Sequence, residues 1–293
     1  MTGAAGCTPG IVGTALVGAG FPDSDPIEIL GRRGLRYKDE ATRLALAAAH
    51  NALRDAGIAD CSDVVTAVVV GSNHGNLDTV CRIVGDGGAP GERSPMDLPN
   101  ASSNVIASSI AIRFGLFGPN LMLCSGANSG LDAIDWASVL LATRRAARVV
   151  VVGVEVDNPA VRRFATARTP SGLLHAAGCV VLELSGTAGS PPRATVGECA
   201  RGFAAISDSI AGASVNRWYT PDSGPVAEVA TVVGSAGVID LAHRFGAASG
   251  ALGVMQAALA AAEPGVSLLS TGGGDVPLTG CLITSNSPTT SGE

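Results

Sequence analysis

The amino-acid sequence predicts a layered α/β fold, and three observations support this prediction. Apolar runs of strand length, such as residues 63–72 and 147–155, are hydrophobic on both faces, as in a sheet that is covered on both sides. Segments whose apolar residues have helical spacing separate these runs. Glycine is abundant, at 39 of 293 residues, and aromatic residues make up 3%, so small side chains must fill the core while helices and sheets approach closely.

The first half alternates between the two kinds of element. The helix at 38–57 has an acidic start and Gly57 as its C-cap, and the helix at 100–114 consists mostly of small residues and ends at Gly115. Residues 155–175 are predicted to be loop and irregular helix, and a Gly-Ser-Pro linker follows at 185–194. The predicted strands are 11–20, 63–72, 121–125, 147–155 and 178–184, and another helix begins at 129.

The second half is shorter. It is predicted to contain a turn-rich segment at 216–224 and a strongly apolar helix at 249–262. The predicted strands are 194–207, 236–242, 265–271 and 278–285. The sequence therefore predicts an N-terminal half at residues 1–192, a C-terminal half at 193–284 and a disordered tail at 285–293.

Composition excludes several classes of function. A formal net charge of -6 argues against nucleic acid or an anionic membrane as the main partner. The start of the chain lacks the basic region of a signal peptide, and no apolar run reaches membrane-spanning length, so we expect a cytoplasmic protein. The seven cysteines show no C-x-x-C spacing and the four histidines lie apart, so we expect buried free thiols, with no metal site and no cofactor.

The most informative stretch is GPNLMLCSGANSGLDAIDWA, residues 118–137. A Gly-Pro turn leads through a short apolar strand and a bend of small residues into an Ala-rich helix, which is how several acyl-transferring enzymes present a nucleophile. This bend is called the elbow below.

The elbow, together with LPNASSNVIASSIAIRFGLFGPN at 98–120 and RVVVVGVE at 148–155, resembles the N-terminal half of β-ketoacyl synthases of the thiolase superfamily. The resemblance covers roughly residues 11–185 well and the remainder loosely. It implies an α-β-α-β-α thiolase-like fold of two related halves, here with a shortened second half and active-site cap.

The resemblance also implies that the family's catalytic residues are missing. The family carries a cysteine at the elbow, where the helix N-terminus activates the thiolate, and that position aligns with Ala127. The first of two family histidines aligns with Asn216. The second aligns with His243 or, with a slight preference, with Arg244, because chain length factors carry arginine there.

Chain length factors are the inactive partners of ketosynthases in type II polyketide synthases, and the resemblance implies this role. The chain would form a heterodimer with an active ketosynthase, shape the acyl tunnel that limits chain length, possess no catalytic residue of its own and meet the acyl carrier protein only indirectly. The product class would be a reduced polyene. The candidate interface and tunnel residues are Asn104, Ala107, Ser108, Phe114, Leu123, Cys124 and Asn128.

Two alternatives stay open. One is a diverged acyltransferase or thioesterase that uses Cys124 or Ser125, and the other is a homodimeric pseudoenzyme that binds an acyl ligand. Against the first, Cys124 is expected to lie within a strand as a buried, inert thiol, and Ser125 has no base nearby beyond His243. His74, in a polar loop after a strand, is a candidate cavity residue.

Overall fold

A computed structural model of the chain describes residues 8–85, 95, 97–165, 172–184 and 192–286. The strands are β1 Pro9–Gly18, β2 Thr66–Gly71, β3 Asn120–Leu123, β4 Arg148–Glu155, β5 Ala176–Leu184, β6 Ala194–Arg201, β7 Arg217–Tyr219, β8 Gly237–Ile239, β9 Gly265–Gly273 and β10 Val276–Ser285. The helices are α1 Pro26–Leu30, α2 Glu40–Asp55, α3 Leu77–Val84, α4 Asp97–Asn100, α5 Val105–Phe114, α6 Ser129–Ala142, α7 Pro159–Phe164, α8 Phe203–Ser209, α9 Ala227–Val233, α10 Leu241–Phe245 and α11 Leu252–Ala262.

The strand order repeats. The first five strands lie in the order β3-β2-β4-β5-β1, and the next five lie in the equivalent order β8-β7-β9-β10-β6. In each set the last strand in sequence, β5 or β10, runs antiparallel to both of its neighbours. The two sets join where β1 pairs with β6 through Gly10 and Ile11, which gives one ten-stranded sheet; its two five-stranded parts are called the first and the second sheet below. The chain is therefore built from two related halves.

The helices form three layers around these strands. Helices α6 and α11 lie between the two sheets, where their apolar side chains share one core with β4 and β9. Helices α2 and α5 cover the outer face of the first sheet, and α8 and α9 cover the outer face of the second. This arrangement confirms the predicted α-β-α-β-α fold.

The two central helices touch through glycines. A Cβ atom on Gly253 of α11 would lie 2.5 Å from the backbone nitrogen of Leu131, and one on Gly130 of α6 would lie 2.7 Å from the backbone nitrogen of Gly253. Each helix follows a short 3₁₀ turn, at Gly126–Asn128 and Ser249–Ala251 respectively. The close helix approach expected from the glycine content is therefore located at the centre of the molecule.

Several predicted boundaries in the second half are wrong. Strand 194–207 ends at Arg201, because Gly202 adopts a φ of 83° and turns the chain into α8. Strand 236–242 ends at Ile239, because Asp240 caps α10 through the His243 N–H at 2.9 Å. The turn-rich segment 216–224 contains the short strand β7.

Some sequence predictions concern residues that the structure does not describe. The linker lies mostly outside them, as does the tail after residue 286, and the domain boundary at 192 remains a prediction. Within the described ranges, no helix combines the length and apolar character needed to cross a bilayer. The same residues contain no cluster of three or more His, Cys, Asp or Glu suited to a metal ion.

Candidate functional site

A cavity of about 670 Å³ lies where the carboxyl ends of several strands meet the elbow. Asn73 and His74 follow β2, Cys124 follows β3, and Glu155 is the last residue of β4. Since β2, β3 and β4 are parallel, their carboxyl ends reach the same edge of the sheet. The topology therefore gathers these four side chains around one cavity.

The cavity has a polar end and an apolar end. The second half adds Asp222, Ser223 and Ser249 to the polar groups of the first half. The apolar wall consists of Val156, Val161, Phe164, Ala165, Leu173 and Leu174. A cavity of this composition suits a ligand with an apolar chain and a polar head, such as an acyl group.

Glu155 is the centre of the polar network. Its side chain is 3% exposed, and its Oε1 accepts hydrogen bonds from the backbone N–H of Asn73 at 2.6 Å and of Gly250 at 3.2 Å. Its Oε2 lies 3.0 Å from Nδ1 of His74. This hydrogen bond raises the pKa of His74, although partial burial opposes the shift. The buried carboxylate is thus satisfied, and it fixes the orientation of the imidazole.

Ala127 lies on the cavity wall at the elbow, half-buried within the 3₁₀ turn that leads into α6. Asn73 fixes this turn, because its Oδ1 accepts the Gly126 N–H at 3.1 Å and the Ser129 hydroxyl at 2.9 Å. The structure therefore has the strand, bend and helix geometry that the sequence predicted, with a methyl group at the aligned position.

The expectation that Cys124 is buried is wrong, and its reactivity stays a prediction. Strand β3 ends at Leu123, so Cys124 lies beyond the sheet, exposed on the cavity wall. Its Sγ lies 3.7 Å from the carbonyl oxygen of Asn73. Ser125 has a different environment: its hydroxyl donates to Asp132, which also pairs with Arg201 at 2.8 Å.

The residues aligned with the family histidines do not line the cavity. Asn216 is exposed before the first residue of β7, where its Oδ1 accepts the Val266 N–H at 2.7 Å. It thus lies at the amino end of β7, whereas Asp222 reaches the cavity beyond the carboxyl end. His243 and Arg244 are exposed on α10, and the Arg244 guanidinium lies 4.9 Å from the centre of the Phe245 ring.

Asp222 is the polar residue of the second half that the sequence did not indicate. Its Oδ2 accepts the backbone N–H of Ser249, while its Oδ1 is buried without a hydrogen-bond partner among the described residues. Burial raises the pKa of Asp222 to about 6. A carboxyl group of this kind is a general acid or base candidate, or a hydrogen-bond donor when it is protonated.

The candidate interface residues fall into different environments. Ala107 is fully buried in the core of its own chain, so it cannot contact a partner directly. Asn128 is also buried, and it joins the elbow to β9 through the Thr271 hydroxyl at 2.8 Å. Phe114 is half-buried against His50. Asn104 and Ser108 lie at the start of α5 with some exposure, and Leu123 is half-buried.

Part of the chain matches a known protein family. Residues 28–171 match the family model of the β-ketoacyl synthase N-terminal domain. The chain is 30% identical over 139 residues to 3-oxoacyl-[acyl-carrier-protein] synthase 2 of Vibrio harveyi, a match that covers 45% of this chain and 33% of that protein. It is 36% identical over 120 residues to the enzyme of the same name from Rhizobium meliloti, covering 38% and 28% respectively. The matched region thus spans about a third of these relatives.

Solved structures match over a greater length. The ishigamide ketosynthase/chain length factor structure has a TM-score of 0.78 at 23% identity, covering 96% of this chain and all of the compared chain. A type II polyketide synthase structure, in which an acyl-carrier protein is in complex with its ketosynthase, has a TM-score of 0.77 at 12% identity, covering 96% and 99%. These matches confirm the ketosynthase-like fold.

Proposed function

We propose that this chain, whose residues 28–171 match the family model of the β-ketoacyl synthase N-terminal domain, is a chain length factor-like subunit. It pairs with an active β-ketoacyl synthase in type II polyketide biosynthesis and does not itself catalyse condensation. The observation that carries the proposal is the composition of the cavity at the elbow.

Condensation in the family depends on a nucleophile at the elbow, and Ala127 has none. From the second half, the described residues that line the cavity are Asp222, Ser223, Ala247, Ser249, Gly272, Gly273 and Val276. No histidine is among them, so the groups that the resemblance implies for the thioester carbonyl are not supplied from this side. The retained elbow and cavity therefore favour a role in shaping the acyl tunnel over a role in carbon–carbon bond formation.

The surface around β3 supports pairing with another chain. Within the described residues, β3 pairs only with β2, so one row of its backbone groups faces outward. Helices α5 and α6 pack against β3 from opposite faces of the sheet. Large apolar side chains are exposed on these helices and on the loop before β3: Ile112 at 83%, Phe117 at 86%, Trp136 at 48% and Val139 at 43%. We call these four side chains with the β3 edge the β3 surface.

The partner that fits this surface is a chain of the same fold, because two β3 edges can pair across a pseudo-twofold axis and continue both sheets. The two solved structures support a ketosynthase as that partner, since one is named as a ketosynthase/chain length factor and the other includes a ketosynthase. The acidic net charge would repel an acidic carrier protein, so docking of the carrier belongs to the partner. A reduced polyene product remains part of this proposal.

Co-expression with an active ketosynthase tests the proposal. We expect the two chains to co-purify as a heterodimer and condensation activity to require both. Phe117→Asp should reduce the recovered ketosynthase at least about tenfold, because it places a charge in the apolar interface.

Val238→Asp is the matched control, since Val238 is 56% exposed on β8 at the opposite edge of the sheet. Equal recovery with the two variants would contradict the β3 interface. If the chain forms only homodimers and does not co-purify with the ketosynthase, the result would favour the acyl-binding pseudoenzyme instead.

A further inference from the structure

Three side chains of the cavity form a combination that the proposed partner role does not use. Cys124, His74 and Glu155 follow or end three adjacent parallel strands, and all three line the same cavity. They comprise a thiol, an imidazole and a carboxylate that holds the imidazole. This set is the one that cysteine-dependent acyl transfer requires, in which a base activates the nucleophile and a third group orients the base.

Contacts with Glu155 and with Asn73 orient the imidazole and the thiol, respectively. Because Nδ1 of His74 lies 3.0 Å from Glu155, its Nε2 is the nitrogen left for the cavity. The Cys124 Sγ lies 3.7 Å from the carbonyl oxygen of Asn73, the residue bonded directly to His74. The loops after β2 and β3 thus bring the imidazole and the thiol to the same cavity.

The surrounding cavity indicates the chemical class of the substrate. An apolar wall continues from the polar end and suits an acyl chain. Helix α6 begins at Ser129, directly after the 3₁₀ turn whose Gly126 and Ala127 line the cavity. The positive end of this helix dipole favours the oxygen of a carbonyl that becomes negatively charged nearby.

We propose that this cavity hydrolyses acyl thioesters, with Cys124 as the nucleophile and His74 as the general base. Glu155 acts as a positioning residue. The activity goes beyond the proposed pairing with a ketosynthase, since it uses a thiol three residues before the elbow position and forms no carbon–carbon bond.

The reaction requires no reagent besides water. His74 takes the thiol proton, and the Cys124 sulfur attacks the thioester carbonyl carbon. The bond from that carbon to the leaving thiolate breaks, and His74 returns the proton to the leaving group. Water, deprotonated by His74, then attacks the acyl-Cys124 carbonyl; the carbon–sulfur bond breaks, the acid is released and the thiolate regains a proton.

Hydrolysis of acyl-N-acetylcysteamine thioesters by the purified full chain tests this activity, with the released thiol as the readout. Cys124→Ser and His74→Gln should each lower the rate about 100-fold or more. Cys81→Ser is the control, because Cys81 is a half-buried thiol on α3 outside this cavity, and its rate should not change. Glu155→Gln should retain partial activity and shift the pH profile to lower pH, because it removes the group that raises the pKa of His74.

Alkylation of the wild-type chain by iodoacetamide provides a measurement that does not depend on a variant with altered stability. Mass spectrometry should find Cys124 modified at least about tenfold faster than Cys81, and His74→Gln should remove that excess. No detectable hydrolysis by the wild type, or an unchanged rate in Cys124→Ser, would overturn the proposal. Co-purification of Cys124→Ser with the ketosynthase measures the pairing role separately, so the two proposals fail independently.

Discussion

The two halves of the molecule share a strand order but differ in the lengths of their peripheral helices and strands. In the first half α2 spans 16 residues and β2 spans 6, whereas in the second half the outer helices α8 and α9 span 7 residues each and β7, the counterpart of β2, spans 3. The central layer does not show this difference, since α6 and α11 both lie in the shared core and touch through glycines. The second half is therefore reduced at its periphery and retained at its centre.

The same comparison applies to the cavity. The first half contributes a paired imidazole and carboxylate and an exposed thiol, whereas the second half contributes Asp222, whose Oδ1 has no hydrogen-bond partner within the described part of the chain. The peripheral reduction of the second half thus coincides with an incomplete set of polar contacts on its side of the cavity. This difference between the halves can be tested in three ways.

The largest effect is expected at the glycine contact that the halves share. Gly253→Ala would place a methyl group 2.5 Å from the Leu131 backbone, and we expect it to lower the free energy of unfolding by about 3 kcal/mol. Gly237→Ala is the control, because at this position on the edge strand β8 the new Cβ would meet only the Asn216 oxygen, at 3.7 Å. Urea unfolding of both variants gives the comparison; equal losses would show that the central contact is not the more constrained one.

A smaller effect is expected from Asp222. Its pKa is raised by burial from 3.8 to about 6, so the unfolded chain releases this proton at lower pH than the folded chain does. The folded state therefore binds more protons between these values, and stability falls as the pH rises through this range. The charges that face Asp222 and add to this shift are those of Asp240 and Glu155.

For the Asp222 contribution alone, we expect a loss of about 2 kcal/mol between pH 4.5 and pH 7. Asp222→Asn cannot ionise and retains an oxygen for the Ser249 N–H, so its unfolding free energy should fall less over this range. Urea unfolding of both proteins at the two pH values measures the difference. Parallel pH dependences would contradict the raised pKa.

The smallest effect compares the two sheets. Val150 of β4 is fully buried, and Val150→Ala should cost about 1.5 kcal/mol through lost apolar burial. Val238 of β8 is 56% exposed, and Val238→Ala should change stability by less than about 0.5 kcal/mol. Thermal unfolding of the two variants measures this difference. A similar loss of stability in both would contradict a larger contribution from the first sheet.

The sequence predicted the layers of the fold because the main strands carry a strong local signal. Runs such as Val149–Val152 are apolar on both faces, which is typical of strands covered by helices, and the structure buries them completely. The elbow could likewise be predicted, since its strand, bend and helix are consecutive. The short β7 could not be predicted, because three residues before a Thr-Pro turn provide too little periodicity.

The site was harder to predict from the sequence, because the residues that contact one another in it lie far apart along the chain. His74 and Glu155 are 81 residues apart, and nothing local to either residue indicates the pair. One signal was present: a charged residue that ends an otherwise apolar buried strand needs buried partners. The prediction that Cys124 is buried was wrong because the strand was expected to end at residue 125 and ends at Leu123. This difference of two residues moves the Cys124 side chain from the sheet to the cavity.

The β3 surface also has a consequence for how the chain is produced in a cell. An outward-facing strand edge beside exposed apolar side chains is a template for unwanted association until a partner covers it. If the chain pairs with a ketosynthase as proposed, we expect its yield to depend on the ratio in which the two chains are synthesised, because excess of this chain would be lost to aggregation or proteolysis. Synthesis of the two chains at the same time would then limit this loss, because the partner would cover the β3 surface soon after folding.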